Sequence, residues 1–101
     1  MEPNRNVTSS PAGTLLLRRS NDVVTCRQVV GQLAGELNYS KIGKTMLVTA
    51  ASELARNVLL HGGGGEVFWT VLGEGDHAGV GLVLQDNGPG IRDLKLAMTD
   101  G

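Results

Sequence analysis

The sequence has little cysteine and little excess charge, and both shortages exclude classes of protein. Cys26 is the one cysteine among 101 residues, so a disulfide framework and a thiolate metal cluster are excluded. It lies in a predicted amphipathic helix, where we expect a small buried side chain rather than a reactive thiol. Nine basic against ten acidic residues give a net charge of −1, with no basic stripe or arginine cluster. We therefore expect no nucleic-acid partner.

Long apolar stretches are also missing. No run approaches the roughly 18 residues of a membrane span, and the first residues contain no signal-peptide apolar region. We therefore expect a soluble, cytoplasmic protein without a membrane partner. Residues 1–13 are rich in Pro, Asn, Ser and Gly without periodicity, which predicts a disordered tail before one small domain over 14–101.

Hydrophobic periodicity predicts two consecutive helices. Apolar residues recur at three- and four-residue steps through 22–37, which is typical of an amphipathic helix. Ser40 can cap a second helix over about 41–61. This segment contains no proline, and its one glycine, Gly43, lies in the first turn.

Strand patterns lie on both sides of this helical pair. TLLLRR (14–19) has the length of a strand, and EVFWTVLG (66–73) and VGLVLQD (80–86) predict an antiparallel hairpin. A short helix could start near Asp93. The order predicts an α+β fold: a two-layer α/β sandwich, with helices on one face of a mixed, mostly antiparallel sheet.

Two polar residues of the second helix stand out. Glu53 and Asn57 are one turn apart and fall within an apolar arc, beside Met46 and Ala50. A carboxylate turned toward a core is costly unless it is paired, hydrated or bound to a ligand, which favours a position facing a cleft. Arg56 could instead neutralise Glu53 in an ordinary surface pair, and both interpretations stay open.

Two glycine-rich breaks follow that helix. The glycines at 62–65 are predicted to cap it and to make a tight connection to the next strand. In DNGPGI (86–91), Asp86 ends a strand, and Gly88 and Gly90 lack a Cβ, so a flat ring could lie against the backbone. The same six residues can also be a simple turn.

The ordered pair of motifs, E-x-x-x-N and then D-x-G-x-G-I, resembles the ATP-binding Bergerat fold of the GHKL superfamily, shared by gyrase, Hsp90, sensor histidine kinases and MutL. SELARN and MTDG, within AASELARNVLLHGGGG and DNGPGIRDLKLAMTDG, resemble more narrowly the anti-sigma-factor and switch serine/threonine kinases of the RsbT type. The resemblance covers about residues 14–101. In that family the pattern continues into a lid, a second glycine-rich motif and further sheet. We therefore expect poor ATP affinity for these 101 residues alone, and an open sheet edge.

The resemblance also implies a role for each site residue. Asn57 would give its amide oxygen to Mg²⁺, Glu53 would be the general base toward a Ser or Thr hydroxyl, and Asp86 would accept a hydrogen bond from the adenine of ATP. Further nucleotide contacts would come from Gly88, Gly90 and Ile91.

The implied activity is phosphorylation of STAS-domain antagonist or scaffold proteins in a bacterial stress-signalling, stressosome-like pathway. The alternative is a non-catalytic switch module that docks on a STAS scaffold and activates a phosphatase of the PP2C type. A third interpretation is the ATPase subdomain of a histidine kinase. The missing dimerisation helix and phospho-acceptor histidine segment argue against it, as does SELARN.

Overall fold

A computed structural model of the chain describes residues 10–73, 75, 78–86 and 93–99. Along them lie, in order, β1 (Ser10–Leu17), α1 (Ser20–Glu36), α2 (Lys41–Gly62), β2 (Gly65–Leu72), β3 (Gly79–Asp86) and β4 (Asp93–Thr99). The helices pack on each other and on a sheet of these four strands in the order β1-β2-β3-β4. The predicted two-layer α+β sandwich is confirmed.

All pairings between the described strands are antiparallel. The predicted hairpin of β2 and β3 is confirmed, with Gly65 opposite Asp86 at its open end. β1 pairs with the other side of β2 and begins at Ser10, earlier than predicted. Residues 1–9 of the predicted tail lie outside the described residues.

The helix predicted near Asp93 is wrong, because this segment is strand β4, paired with β3. Its sequence alternates apolar and polar or small residues, which suits a strand with one buried face. Leu96 and Met98 pack against the core, whereas Lys95 and Ala97 are exposed. β4 therefore covers the edge of β3.

Side-chain caps start both helices. The Asp22 carboxylate accepts hydrogen bonds from the backbone N–H groups of Arg18 and Arg19, at 2.8 and 3.0 Å. These two bonds lower the pKa of Asp22 below its usual value. Ser40 caps α2 as predicted, accepting a hydrogen bond from the Gly43 N–H at 3.0 Å.

The core lies between the helical layer and the sheet. Cys26 is 1% exposed, as expected, and burial raises the pKa of its thiol to about 11. It therefore remains a protonated, unreactive thiol at neutral pH. The other largest fully buried side chains are Leu17, Leu47, Leu82, Leu84, Val30, Val58, Val67 and Val80.

The hydroxyl of Tyr39 joins the connection between the helices to the sheet. It accepts a hydrogen bond from the Val80 N–H at 3.2 Å and donates one to the Met98 carbonyl. Val80 and Met98 are paired across β3 and β4, so the hydroxyl bonds to both strands. Tyr39 is only 8% exposed, so Tyr39→Phe would remove a buried partner from two backbone groups. We expect the free energy of unfolding in urea to fall by about 1–3 kcal/mol. A Phe variant as stable as the wild type would contradict this bridging role.

Candidate functional site

The glycines after α2 form a sharp exit from the helix, as predicted. Gly63 is the C-cap residue, with φ of 73°, and Gly64 follows with φ of 113°. The Gly64 N–H donates to the Val58 carbonyl at 3.2 Å, which satisfies one of the last carbonyls of the helix. Positive φ values favour glycine, so this part of the run is required by the backbone and is not a slack linker.

Gly65 then starts β2 at a point where three segments meet. A Cβ built on Gly65 would lie 2.0 Å from the Gln85 carbonyl oxygen, 2.8 Å from Val58 Cγ1 and 2.9 Å from the Asp86 Cα. Val58, near the end of α2, and Gln85 and Asp86, at the end of β3, therefore all lie close to the Gly65 backbone. Asn57 immediately precedes Val58, so the structure brings its turn of α2 to the same end of the domain as Asp86.

Asp86 is the last residue of β3 and is 3% exposed. It has an interaction within the protein. A buried acid at a strand end can hold a ligand amino group in a fixed direction. The predicted partners Gly88, Gly90 and Ile91 lie outside the described residues.

The apolar arc predicted for α2 is only partly buried, which corrects the expectation for Glu53 and Asn57. The buried side of the helix consists of Leu47, Ala51, Ala55 and Val58.

Met46 and Ile42, at the edge of the predicted arc, are 57% and 73% exposed. Glu53 and Asn57 are both exposed, so neither is turned toward the core.

Among the described residues, neither helix combines the length and the apolar character that crossing a bilayer requires.

Arg56 pairs with Glu53, as the surface interpretation predicted. Its guanidinium lies 3.3 Å from the Glu53 carboxylate, and the two side chains are 50% and 65% exposed. Arg56 also donates to the Ser52 hydroxyl at 3.5 Å. Solvent screens an ion pair this exposed, so the Glu53 side chain stays hydrated and accessible to a second molecule.

Periodicity did not single out Ser52 of α2, a polar residue that is only 7% exposed. The signal was its position four residues after Val48, on the side where α2 borders a cavity shared with Arg27 of α1. A small residue is common where two helices approach closely. No group of three or more His, Cys, Asp or Glu residues in the described part of the chain could hold a metal ion.

The structure places the two sequence motifs on separate elements of one fold. Two helices pack on an antiparallel sheet, Glu53 and Asn57 are exposed on the second helix, and the buried Asp86 ends β3.

A comparison with curated proteins finds a similarity to a kinase. Over 80 residues the chain is 35% identical to the serine/threonine-protein kinase RsbT of Bacillus subtilis (strain 168). The match covers 79% of the chain and 60% of RsbT, so the chain spans less than two thirds of the length of the protein that it matches. No family model and no solved structure matches.

Proposed function

We propose that the protein is an ATP-dependent serine/threonine protein kinase that acts as a partner switch. Its substrates would be STAS-domain antagonist or scaffold proteins of a stress-signalling, stressosome-like pathway, with a PP2C-type phosphatase as a further partner. The observation that carries the proposal is the meeting of α2 and β3 at Gly65, which holds a buried Asp86 beside the helix of Glu53 and Asn57. The similarity to RsbT supports the same reaction class.

The described residues fit Mg-ATP in chemistry. Asp86 offers a carboxylate acceptor of the kind that suits the amino group of adenine, and Gly88, Gly90 and Ile91 would complete that contact. Asn57 offers an exposed amide oxygen, and Mg²⁺ prefers oxygen ligands and shares them with phosphates, so one protein ligand suffices. ATP supplies the transferable phosphoryl group.

Glu53 would accept the proton of the attacking hydroxyl. It is one helical turn from Asn57 and on the same exposed side of α2, so a protein substrate can reach it. Phosphoryl transfer depends mainly on positioning and charge neutralisation, which this pair of side chains can provide.

Glu53→Gln should separate binding from transfer. We expect phosphorylation of a STAS-domain protein from labelled ATP to fall by about 10²–10⁴-fold, since a positioned base contributes that much. Mg-ATP affinity, measured by ligand-observed NMR, should stay within a factor of about three, because the acid does not hold the nucleotide.

Arg56→Gln is the matched control, because it breaks the same ion pair and leaves the carboxylate in place. Transfer should persist in this variant. Equal loss in both variants, or no loss in either, would contradict the role of Glu53 as the base.

A second candidate is a non-catalytic module that docks on a STAS scaffold and activates a phosphatase. It is favoured by the exposure of Glu53 and its pairing with Arg56, which is ordinary surface chemistry. Calorimetry with Mg-ATP and with a STAS scaffold distinguishes the two. Heat with the scaffold but none with ATP supports the module and contradicts the kinase.

A further inference from the structure

The two helices leave a groove along their seam, and sheet residues do not line it. Three adjoining cavities of about 510, 370 and 220 Å³ follow the seam, and all three share Arg27 of α1 and Val48 of α2. We call this row of adjoining cavities the seam groove.

The floor of the seam groove is apolar and built around a glycine. Gly31 is buried, and a Cβ placed on it would lie 3.6 Å from both Lys44 Cε and Val48 Cγ2. A methyl group there would make ordinary van der Waals contact with both side chains, so the helices approach closely at Gly31. Val24 lies about two helical turns before Gly31 on α1 and adds an apolar side chain that is 45% exposed.

The rim of the seam groove is positively charged. Arg27, Lys41 and Lys44 are exposed, and none of them forms an ion pair within the part of the chain that the structure describes. Arg56, at the far end, is balanced by Glu53. Three cations that have no ion-pair partner among the described residues thus border one groove, in a chain whose net charge is −1.

The length of the groove defines the size of its occupant. Its lining positions on α2 extend from Lys41 to Arg56, which corresponds to about 22 Å at 1.5 Å per residue. This length matches a helix of about four turns. A surface of this shape is typical of helix-in-groove recognition, in which apolar side chains occupy the floor and charges pair along the rim.

We propose that the seam groove docks an acidic amphipathic helix of a protein partner. Its apolar side would lie on Val24 and Val48, and its carboxylates would pair with Arg27, Lys41 and Lys44. Docking does not depend on nucleotide binding or catalysis, so it stands if the kinase proposal fails. Glu53 borders one end of the groove, so a docked partner would lie beside it.

The test uses three fluorescein-labelled peptides of about four helical turns. The first is an amphipathic Glu/Leu helix, the second has the same composition in scrambled order, and the third has Lys in place of Glu. Anisotropy titrations of the full chain should detect binding of the first peptide alone. In ¹⁵N NMR spectra, the perturbed amides should be those of α1 and α2 that line the groove.

Reversing two rim charges should weaken this binding. We expect the double variant Arg27→Glu, Lys44→Glu to lower the affinity for the acidic helix at least about tenfold, because it replaces attraction with repulsion. Lys95→Glu makes one such reversal on exposed sheet surface and should alter affinity less than about twofold. Circular dichroism verifies that the variants are folded.

Several outcomes would overturn the proposal. Equal binding of the scrambled peptide would show simple ion exchange, and equal weakening by Lys95→Glu would show that the rim is not the site. Binding of duplex DNA or of vesicles with anionic headgroups, with the same perturbed amides, would assign the groove to a different class of partner.

Discussion

Asp86→Asn is expected to abolish nucleotide binding and, with it, phosphorylation. The substitution keeps the volume of the side chain but replaces a charged acceptor with a neutral amide, half of which is a donor. At a position only 3% exposed, water cannot replace the proposed contact with the adenine amino group once it is lost. A buried hydrogen bond to a charged group contributes about 1.5–3 kcal/mol. The Asn side chain can also direct its N–H toward the adenine amino group, which is itself a donor. The affinity for Mg-ATP should therefore fall at least about 100-fold.

Ligand-observed NMR with Mg-ATP suits this measurement, because it detects weak binding by the wild type as well. Glu66→Gln is a suitable control, since it neutralises a carboxylate on β2 that hydrogen bonds to Thr14. Asp86 also has a partner within the protein, so the urea midpoint of each variant must be measured alongside. Retained nucleotide binding and retained phosphorylation in the Asn variant would show that Asp86 is not the adenine contact.

Gly65→Ala is expected to have the largest effect on stability. The added methyl group would lie 2.0 Å from the Gln85 carbonyl oxygen, and that atom belongs to the backbone of the neighbouring strand. It cannot rotate away as a side chain would, so the pairing of Gly65 with Asp86 must open. Overpacking of this kind costs roughly 1–3 kcal/mol and occasionally more, and we expect at least about 3 kcal/mol here.

The same substitution should disturb the site, because the Asp86 Cα is 2.9 Å from the added methyl group. Gly35→Ala is the matched control: a Cβ there meets nothing within 4 Å, and it lies in α1. Alanine favours helix over glycine, so this variant should gain up to about 1 kcal/mol. Urea denaturation of both variants decides the matter. If Gly65→Ala is as stable as the wild type, the close approach of the two strands is not as described.

Much of this fold could be predicted from the sequence, because interactions between residues close in the chain determine it. The Ser40 cap, the two helices, the glycine exit and the β2–β3 hairpin all depend on residues a few positions apart, so the sequence predicted them and the structure confirms them. The roles of Glu53, Asn57 and Asp86 came from a resemblance between motifs, and they remain predictions.

Three features depended instead on which surfaces meet. Asp93–Thr99 forms a strand because β3 offers it an edge, a long-range pairing that outweighs local helix preference. Ser52 is buried because α1 lies beside it, and Met46 and Ile42 are exposed because no described element covers them.

By itself, then, the sequence determined the two helices, the cap and exit of α2, the hairpin of β2 and β3 and the order of the two motifs, because these follow from interactions within a few residues. The tertiary structure alone decided that the four glycines bring the backbone of α2 and β3 together at Asp86. It also decided that Glu53 is paired with Arg56 on an open surface. Burial and pairing depend on where distant segments pack, and local periodicity cannot specify that.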